Sequence, residues 1–286
     1  MTNTSVVSFS EGHYLINCPP DEHSLKIPRI IHYCWFGGNP KPEIVQKCIA
    51  SWRKYCPDWE IIEWNESNFD IDQHAFMREA YSQKKWAFVS DVARLIVLYN
   101  YGGIYMDTDV ELNKANPFDP YLHRDGLFAF EHERIVATGL CCGCRKKLPL
   151  IQNMLRAYDT QHFDQSRMVV NTVINMPIIR SKTGLKLDGT NQVIDNIEFL
   201  SMGMFADFAF HYGTRSWDEG QAKYTLSRNP YRNTKLKRFL KDPHKFAYIE
   251  KHFGDGFILK LYTFFVYDLL EMGPIYYIKR LCRKRN

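Results

Sequence analysis

The sequence contains no long, uninterrupted hydrophobic run. Its most apolar late stretch, residues 257–270, is interrupted by Lys260 and Asp268. That stretch is also shorter than the roughly 20 residues that a membrane-spanning helix needs. The beginning of the chain shows no charged start followed by an apolar segment, so we expect no signal peptide. Internal repeats and low-complexity tracts are missing as well. A hydrophobic content of 45% with 24% charged residues is ordinary for a globular protein.

Paired cysteines are scarce, although the chain has 8 cysteines. Cys141 and Cys144 form one Cys-x-x-Cys pair, and no second pair exists to complete a four-ligand zinc site. Several of the other cysteines lie within apolar segments, which is typical of reduced, buried thiols in a cytosolic protein. We therefore expect a cytoplasmic location.

Positive charge is scarce outside the C-terminal segment. The formal net charge is +5, yet residues 231–286 hold 13 Lys/Arg and 5 Asp/Glu and contribute +8. The remaining 230 residues therefore carry −3, which provides no basic face for nucleic acid there. We expect no nucleic-acid partner.

Residues 87–112 hold the densest group of informative features. Apolar side chains recur at helical spacing in the first half of this stretch and predict one helix, at Phe88, Val92, Leu95, Ile96 and Tyr99. Asp91 and Arg94 are three residues apart, so they can point the same way from a neighbouring face of that helix.

A glycine pair, a short strand and two aspartates follow this helix. Gly102 and Gly103 predict its end, and the apolar residues 104–106 predict a buried strand. Asp107 and Asp109 come next, and on an extended chain they would lie on one side, roughly 7 Å apart. Acidic groups at the carboxyl end of such a strand are where α/β sheets usually bind ligands, and carboxylates suit hard divalent cations.

The rest of the pattern indicates an α/β protein. Further strands are predicted at 27–38, 59–64, 126–131, 134–141 and 208–211. Further helices are predicted at 42–55, 148–160 and 166–175. Residues 176–200 show no clear period. The order strand, helix, strand at the start favours a parallel unit.

The helix with Ser90, Asp91 and Arg94, the Gly-Gly break, the strand and the Asp-x-Asp together resemble a known family. It is the DXD-type sugar transferases of glycosyltransferase family 32, which include fungal outer-chain mannosyltransferases and bacterial capsular polysaccharide enzymes. The glucosylating domains of large clostridial toxins are related to it. An isolated Asp-x-Asp occurs often by chance, whereas the composite with fixed spacing is specific.

The resemblance implies a GT-A glycosyltransferase fold, in which helices flank a Rossmann-like mixed sheet. We expect this catalytic domain at 27–230, after a lead-in at 1–26. A basic, helical extension is expected at 231–286.

The resemblance also implies the roles of the site residues. Asp109 would hold the metal directly, and Asp107 would assist it and bind ribose or sugar hydroxyls. Asp91 would accept hydrogen bonds from the sugar, while Arg94 would steady Asp91 and the sugar–phosphate end. These four residues are the expected catalytic group. Trp35 would stack on the nucleobase of the donor.

The last part of the predicted site lies near the end of the catalytic domain. By the same resemblance, His211 or Ser216 would complete the metal shell and Trp217 would donate its indole N–H to phosphate. This chain has one histidine where the common family form has two, so the choice of ligand stays open. The expected donor-binding residues are Trp35, Ser90, Asp91, Arg94, Gly103, Asp107, Ser216 and Trp217.

The implied activity is hexose transfer from a UDP-hexose or GDP-mannose to a glycan or lipid-linked acceptor. We expect a Mn²⁺ or Mg²⁺ cofactor, retention at the anomeric carbon and a role in cell-surface or capsular polysaccharide synthesis. Glu131 is a candidate group on the acceptor side. The final segment, 271–286, has aromatic and aliphatic residues beside five basic ones, Lys279, Arg280, Arg283, Lys284 and Arg285. This composition suits peripheral contact with the inner face of an anionic membrane, and a solvated charged end of a packed helix is the alternative.

Two other classes compete with this interpretation. The Asp-x-Asp also resembles the aspartyl nucleophile of phosphohydrolases, but that motif normally lies near the chain start and is followed by threonine, whereas Val110 stands here. A non-catalytic calcium- or carbohydrate-binding module is the second alternative. Glu111 does not meet the spacing of an EF-hand loop.

Overall fold

The protein is described by a computed structural model at residues 25–132, 134–165 and 169–214. Within these ranges the helices are α1 Glu43–Tyr55, α2 Ala75–Ser82, α3 Trp86–Tyr101, α4 Pro149–Tyr158, α5 Asn171–Thr183 and α6 Met202–Ala206. The strands are β1 Ile30–Cys34, β2 Glu60–Trp64, β3 Gly103–Tyr105, β4 Val110–Leu112, β5 Gly126–His132, β6 Ile135–Val136, β7 Cys142–Cys144, β8 Gln192–Ile194, β9 Ile197–Leu200 and β10 Ala209–His211.

The main sheet is mixed and has the strand order β2-β1-β3-β7-β5-β9-β8, with β6 beside β5. β2, β1 and β3 run parallel, while β7 runs antiparallel to both β3 and β5. β9 is parallel to β5, and β4 pairs with β10 in a separate two-stranded sheet. The predicted α/β fold class is confirmed, and the mixed sheet fits the GT-A expectation.

Helix α3 is buried on almost every side. The sheet covers one side, and α2 and α4 pack against others. Its side chains from Phe88 to Leu95 are therefore all buried, including Asp91 and Arg94. The sequence predicted one buried apolar face, whereas several faces of the helix are buried. The helix ends at Tyr101, and the next residue, Gly102, has a φ of 70° that favours glycine.

The Asp-x-Asp segment is a turn, and the predicted extended conformation is wrong. β3 ends at Tyr105, and the Val110 N–H donates to the Asp107 carbonyl at 3.1 Å. The Asp107 N–H instead bonds the Gly139 carbonyl at 2.7 Å. These two bonds turn the chain from β3 into β4, so the two aspartates meet different neighbours.

Two other predicted elements are displaced. The strand predicted at 134–141 has only two residues, Ile135–Val136, because the chain then turns beside Asp107 and resumes as β7. The helix predicted at 166–175 is found at Asn171–Thr183. The first residue of this helix, Asn171, bonds the buried Asp91 through its side chain.

The described helices include none that is long and apolar enough to cross a membrane. The apolar stretch at 257–270 and the basic cluster near the C-terminus lie outside the described residues. The expected domain boundary at 230 lies outside them too.

Candidate active site

The candidate site lies where β3 runs into the Asp-x-Asp turn, at the carboxyl end of the parallel strands β1 and β3. Helix α3 brings Asp91 and Arg94 to one side of this turn. Strand β10 brings His211 to the other side through its pairing with β4, in which His211 faces Val110. Helix α3, close in sequence, and strand β10, distant in sequence, therefore each contact one of the two aspartates.

Arg94 connects the helix to the turn. Its Nη2 lies 3.0 Å from Asp91 Oδ1 and 3.2 Å from Asp107 Oδ1. Its Nε donates to the Ser90 carbonyl at 3.0 Å, and its guanidinium lies 4.7 Å from the Tyr105 ring centroid. The arginine is 2% exposed, so this is a buried ion-pair network and not a surface helical pair.

Asp91 is held by a residue from a distant helix as well. Asn171 at the start of α5 donates its Nδ2 to Asp91 Oδ1 at 2.7 Å. Burial raises the pKa of Asp91 to about 6, although the Arg94 charge and the Asn171 hydrogen bond oppose that rise. Both contacts go to Oδ1, so Oδ2 is the oxygen that they leave for another partner.

Asp109 has its own set of partners on the β10 side. Its Oδ1 lies 3.3 Å from His211 Nε2, and its Oδ2 accepts from the Thr214 N–H at 2.8 Å and hydroxyl at 2.9 Å. Burial alone would raise the pKa of Asp109, but the hydrogen bond and charge of His211, with the Thr214 bonds, lower that pKa to about 2.

His211 lies between two carboxylates. Its Nδ1 is 3.5 Å from Glu131 Oε1, on the opposite side of the ring from Asp109. Burial lowers the pKa of His211, but the bond and charge of Asp109 and the charge of Glu131 outweigh it and raise the pKa to about 9. The side chain is therefore an imidazolium at neutral pH in this arrangement.

A divalent cation fits the aspartates only with further ligands from elsewhere. Among the described residues, no group of three or more His, Cys, Asp or Glu side chains is arranged to hold a metal ion. Asp107 is 35% exposed at its side chain and is accessible, whereas Asp109 is already bonded to His211 and Thr214. Such a donor set suits a cation that takes one or two carboxylates and completes its shell with substrate phosphates and water.

Trp35 follows β1 at the same end of the sheet. Its ring is partly buried, and its indole N–H donates to the Asn39 carbonyl at 2.7 Å, which fixes the ring plane. Lys41 Nζ lies 5.7 Å from the ring centroid.

The two remaining donor-binding predictions within the described ranges have packing contacts. Gly103 is buried at the start of β3, and a Cβ there would lie 2.6 Å from the Ile30 carbonyl. Ser90 donates its hydroxyl to the Trp86 carbonyl at 3.0 Å. Their roles toward a donor stay predictions. Ser216 and Trp217 lie outside the described residues.

Several site residues were not found from the sequence. Tyr105 donates its hydroxyl to Asp107 Oδ1 at 3.1 Å, and its position next to the Asp-x-Asp was an available signal. Asn171, Gly139 and Thr214 reach the site only through the tertiary fold, and no local pattern marks them.

Comparison with known proteins defines the class of this region. Residues 42–125 match the family described as "Glycosyltransferase sugar-binding region containing DXD motif". This range includes the Ser90–Arg94 helix segment and both aspartates, so the predicted resemblance to DXD-type sugar transferases is confirmed.

Two curated relatives come from Schizosaccharomyces pombe. Inositol phosphoceramide mannosyltransferase 1 is 37% identical over 110 residues, which cover 35% of this chain and 32% of that protein. Inositol phosphoceramide mannosyltransferase 3 is 33% identical over 108 residues, which cover 35% of this chain and 28% of that protein. The chain therefore spans about a third of the length of these relatives.

Two solved glycosyltransferase structures are similar to parts of this chain at low sequence identity. The PaToxG glycosyltransferase has a TM-score of 0.45 at 16% identity, covering 55% of this chain and 70% of that one. The glycosyltransferase domain from the YGT toxin has a TM-score of 0.36 at 13% identity, covering 57% and 69%.

Proposed function

We propose that this protein is a metal-dependent glycosyltransferase that moves a hexose from a nucleotide-diphosphate sugar to a glycan or lipid-linked acceptor. The observation that carries the proposal is the buried Asp91–Arg94 pair, which contacts the partly exposed Asp107 beside Asp109, within the region that matches the DXD family. An ion pair with a purely structural role would not need an accessible carboxylate. Asp107 is accessible, at the carboxyl end of β3, which favours a functional role.

Negative charge grows on the diphosphate as the bond to the anomeric carbon breaks. A Mn²⁺ or Mg²⁺ ion held by Asp109 and Asp107 would neutralise this charge. His211 has to be neutral to serve as a further ligand, so metal binding there would release its proton. Ser216 is the other proposed ligand. Arg94 keeps its charge at all working pH values and holds Asp107 beside the leaving group.

The donor sugar would lie over Asp91 and Arg94. Asp91 Oδ2 would accept a sugar hydroxyl hydrogen, because Arg94 and Asn171 hold the other oxygen. The names of the two curated relatives favour a mannosyl donor such as GDP-mannose, with a UDP-hexose as the other candidate. We propose retention at the anomeric carbon and place Glu131 on the acceptor side.

Trp35 would stack on the nucleobase, with Trp217 on the phosphates. Base–aromatic stacking contributes about 1–3 kcal/mol per base in nucleic-acid complexes. Replacing Trp35 with Ala should therefore raise the donor KM roughly 5–150-fold and change kcat less, since the base is far from the breaking bond. An unchanged KM in a folded variant would leave Trp35 a packing residue.

We further propose a role in cell-surface or capsular polysaccharide synthesis, at the inner face of a membrane. The support is the basic final segment at 271–286, where each Lys or Arg near an anionic surface contributes about 1 kcal/mol. Co-sedimentation with anionic and neutral vesicles would compare the full chain with one truncated after Met272. Binding that ignores lipid charge, salt and truncation would remove the membrane proposal.

A panel of radiolabelled nucleotide sugars with and without Mn²⁺ tests the main proposal. We expect sugar transfer, or slow hydrolysis of one donor in the absence of acceptor, that depends on the metal. Phosphate release from simple phosphate esters would instead support a phosphohydrolase. Binding of a sugar without turnover of any donor would support a carbohydrate-binding module.

A further inference from the structure

The loop between β6 and β7 lies directly against the first aspartate of the Asp-x-Asp turn. The Gly139 carbonyl accepts the Asp107 N–H at 2.7 Å. Thr138 and Leu140, on either side of this glycine, are both buried. The loop therefore forms a wall behind Asp107, although it lies outside the region that matches the family.

Gly139 leaves no space for a side chain. A Cβ atom built there would lie 1.8 Å from Asp107 Oδ2 and 2.6 Å from Arg94 Nη1. Both distances are far below van der Waals contact, which begins near 3.5 Å. The φ angle of Gly139 is not in the left-handed region, so the requirement for glycine is one of space and not of backbone conformation.

The loop has little freedom to retreat from such a side chain. Helix α5 packs behind it, where Asn175 Nδ2 donates to the Thr138 hydroxyl at 3.4 Å and Met176 Sδ accepts the Val136 N–H at 3.2 Å. Asn175 and Met176 are themselves buried. Because close-packed interiors transmit strain, an added methyl group would push on the carboxylate and the guanidinium.

We propose that Gly139 is a positioning residue that sets where the Asp107 carboxylate and the Arg94 guanidinium lie. Arg94 and Tyr105 hold Asp107 Oδ1, and the Gly139 backbone limits the position of Oδ2 from the other side. This inference rests on the proposed function, in which both charged groups face the donor. A displacement of about 1 Å in such groups costs about 10²-fold in rate.

The kinetic test replaces Gly139 with Ala. We expect kcat for sugar transfer to fall roughly 100-fold with a smaller change in donor KM. Gly143→Ala in β7 is the matched control, because its Cβ would meet the end of the buried Ile104 side chain at 2.3 Å and would lie at ordinary contact distance, 3.5 Å, from the Gly103 carbonyl. Neither the carboxylate nor the guanidinium beside Gly139 is among its nearest neighbours. That control should lose thermal stability while kcat stays close to the wild-type value. A folded Gly139→Ala protein with wild-type kcat would overturn the proposal.

A thermal double-mutant cycle tests the same contact without any activity measurement. Gly139→Ala should lower the Tm of the wild type by roughly 4 °C, because overpacking is destabilising. The loss should be clearly smaller in an Asp107→Ala background, where the clashing carboxylate is gone. Equal losses in both backgrounds would contradict the proposal. If the wild type transfers sugar from no donor, the proposed function fails, and this cycle still decides whether Gly139 positions Asp107.

Discussion

The two aspartates of the turn are held by two different regions of the molecule. Asp107 belongs to the α3 side, where its cation, Arg94, is only thirteen positions earlier in the chain. Asp109 belongs to the β10 side, where His211 and Thr214 come from about 100 positions later. The first side is built by one helix and the strand after it, whereas the second requires β4 and β10 to pair.

The electrostatics of the two sides differ in the same way. On the α3 side, one arginine is shared by two carboxylates, and burial raises the pKa of Asp91 to about 6. On the β10 side, Asp109 shares His211 and two hydrogen bonds from Thr214 with no second aspartate of the turn. These contacts lower the pKa of Asp109 to about 2 despite its burial. Asp109 is therefore ionised at every working pH, which suits a direct metal ligand. The pKa of Asp91, in contrast, lies closer to neutral pH.

The largest expected effect comes from the β10 side. Asp109→Ala should reduce sugar transfer roughly 10²–10⁴-fold, because losing a metal ligand is expected to cost about 3–5 kcal/mol of transition-state stabilisation. Initial rates at saturating Mn²⁺ would measure it. Asp109→Asn keeps the shape and an acceptor for Thr214 but not the charge, so it should be nearly as inactive. Near-wild-type transfer by both folded variants would mean that Asp109 holds no metal.

The α3 side is tested by Arg94→Lys. A lysine ammonium keeps the charge but cannot reproduce the guanidinium that spans Asp91 and Asp107 while stacking on Tyr105. Breaking a buried charge pair costs about 2–5 kcal/mol, so kcat/KM should fall at least roughly 30-fold.

The control for Arg94→Lys is an exposed ion pair. Lys47 lies 3.0 Å from Glu111 with 55% of its side chain exposed. Lys47 also donates to the Tyr212 hydroxyl at 2.8 Å, and this exposed contact and the ion pair are screened by solvent. Lys47→Met should therefore leave transfer and stability nearly unchanged. If the two substitutions changed kcat/KM equally, the ion pairs of Arg94 would contribute no more than an exposed surface pair.

The comparison also explains what the sequence could reveal. Asp91, Arg94 and Asp107 were found because α3 and β3 are consecutive, and helix periodicity followed by Gly-Gly and Asp-x-Asp is a local pattern. Their burial was underestimated because α2 and α4, which cover the helix, are tertiary neighbours. Asn171 and Gly139 could not be predicted from the sequence. Asn171 reaches Asp91 only because of the way α5 packs, and Gly139 lies against Asp107 because it has no side chain.

Asp91 links the α3 side to pH-dependent stability. Its pKa is about 6 in the folded protein against 3.8 for the unfolded chain, so the folded state binds more protons between these values. The contribution of Asp91 to stability therefore falls as pH rises from about 4 to 6, by about 3 kcal/mol at most. The asparagine in the Asp91→Asn variant does not titrate, so the variant does not lose this contribution. The Tm of the variant minus the Tm of the wild type should therefore increase as pH rises. A Tm difference that stays constant from pH 4 to 7 would contradict a buried carboxylate with a raised pKa.

The smallest expected effect concerns the hydroxyl of Thr214. Thr214→Val removes the 2.9 Å bond to Asp109 Oδ2 but keeps the backbone N–H at 2.8 Å and the shape of the side chain. Losing one such outer partner typically costs at least about tenfold in metal affinity or activity, and tenfold is expected here because the second donor remains. Titration of activity with Mn²⁺ would measure this, and Thr214→Ser should restore the wild-type curve by returning the hydroxyl. If valine and serine behave alike, the hydroxyl does not orient Asp109, and the backbone N–H alone holds the β10 side of the site.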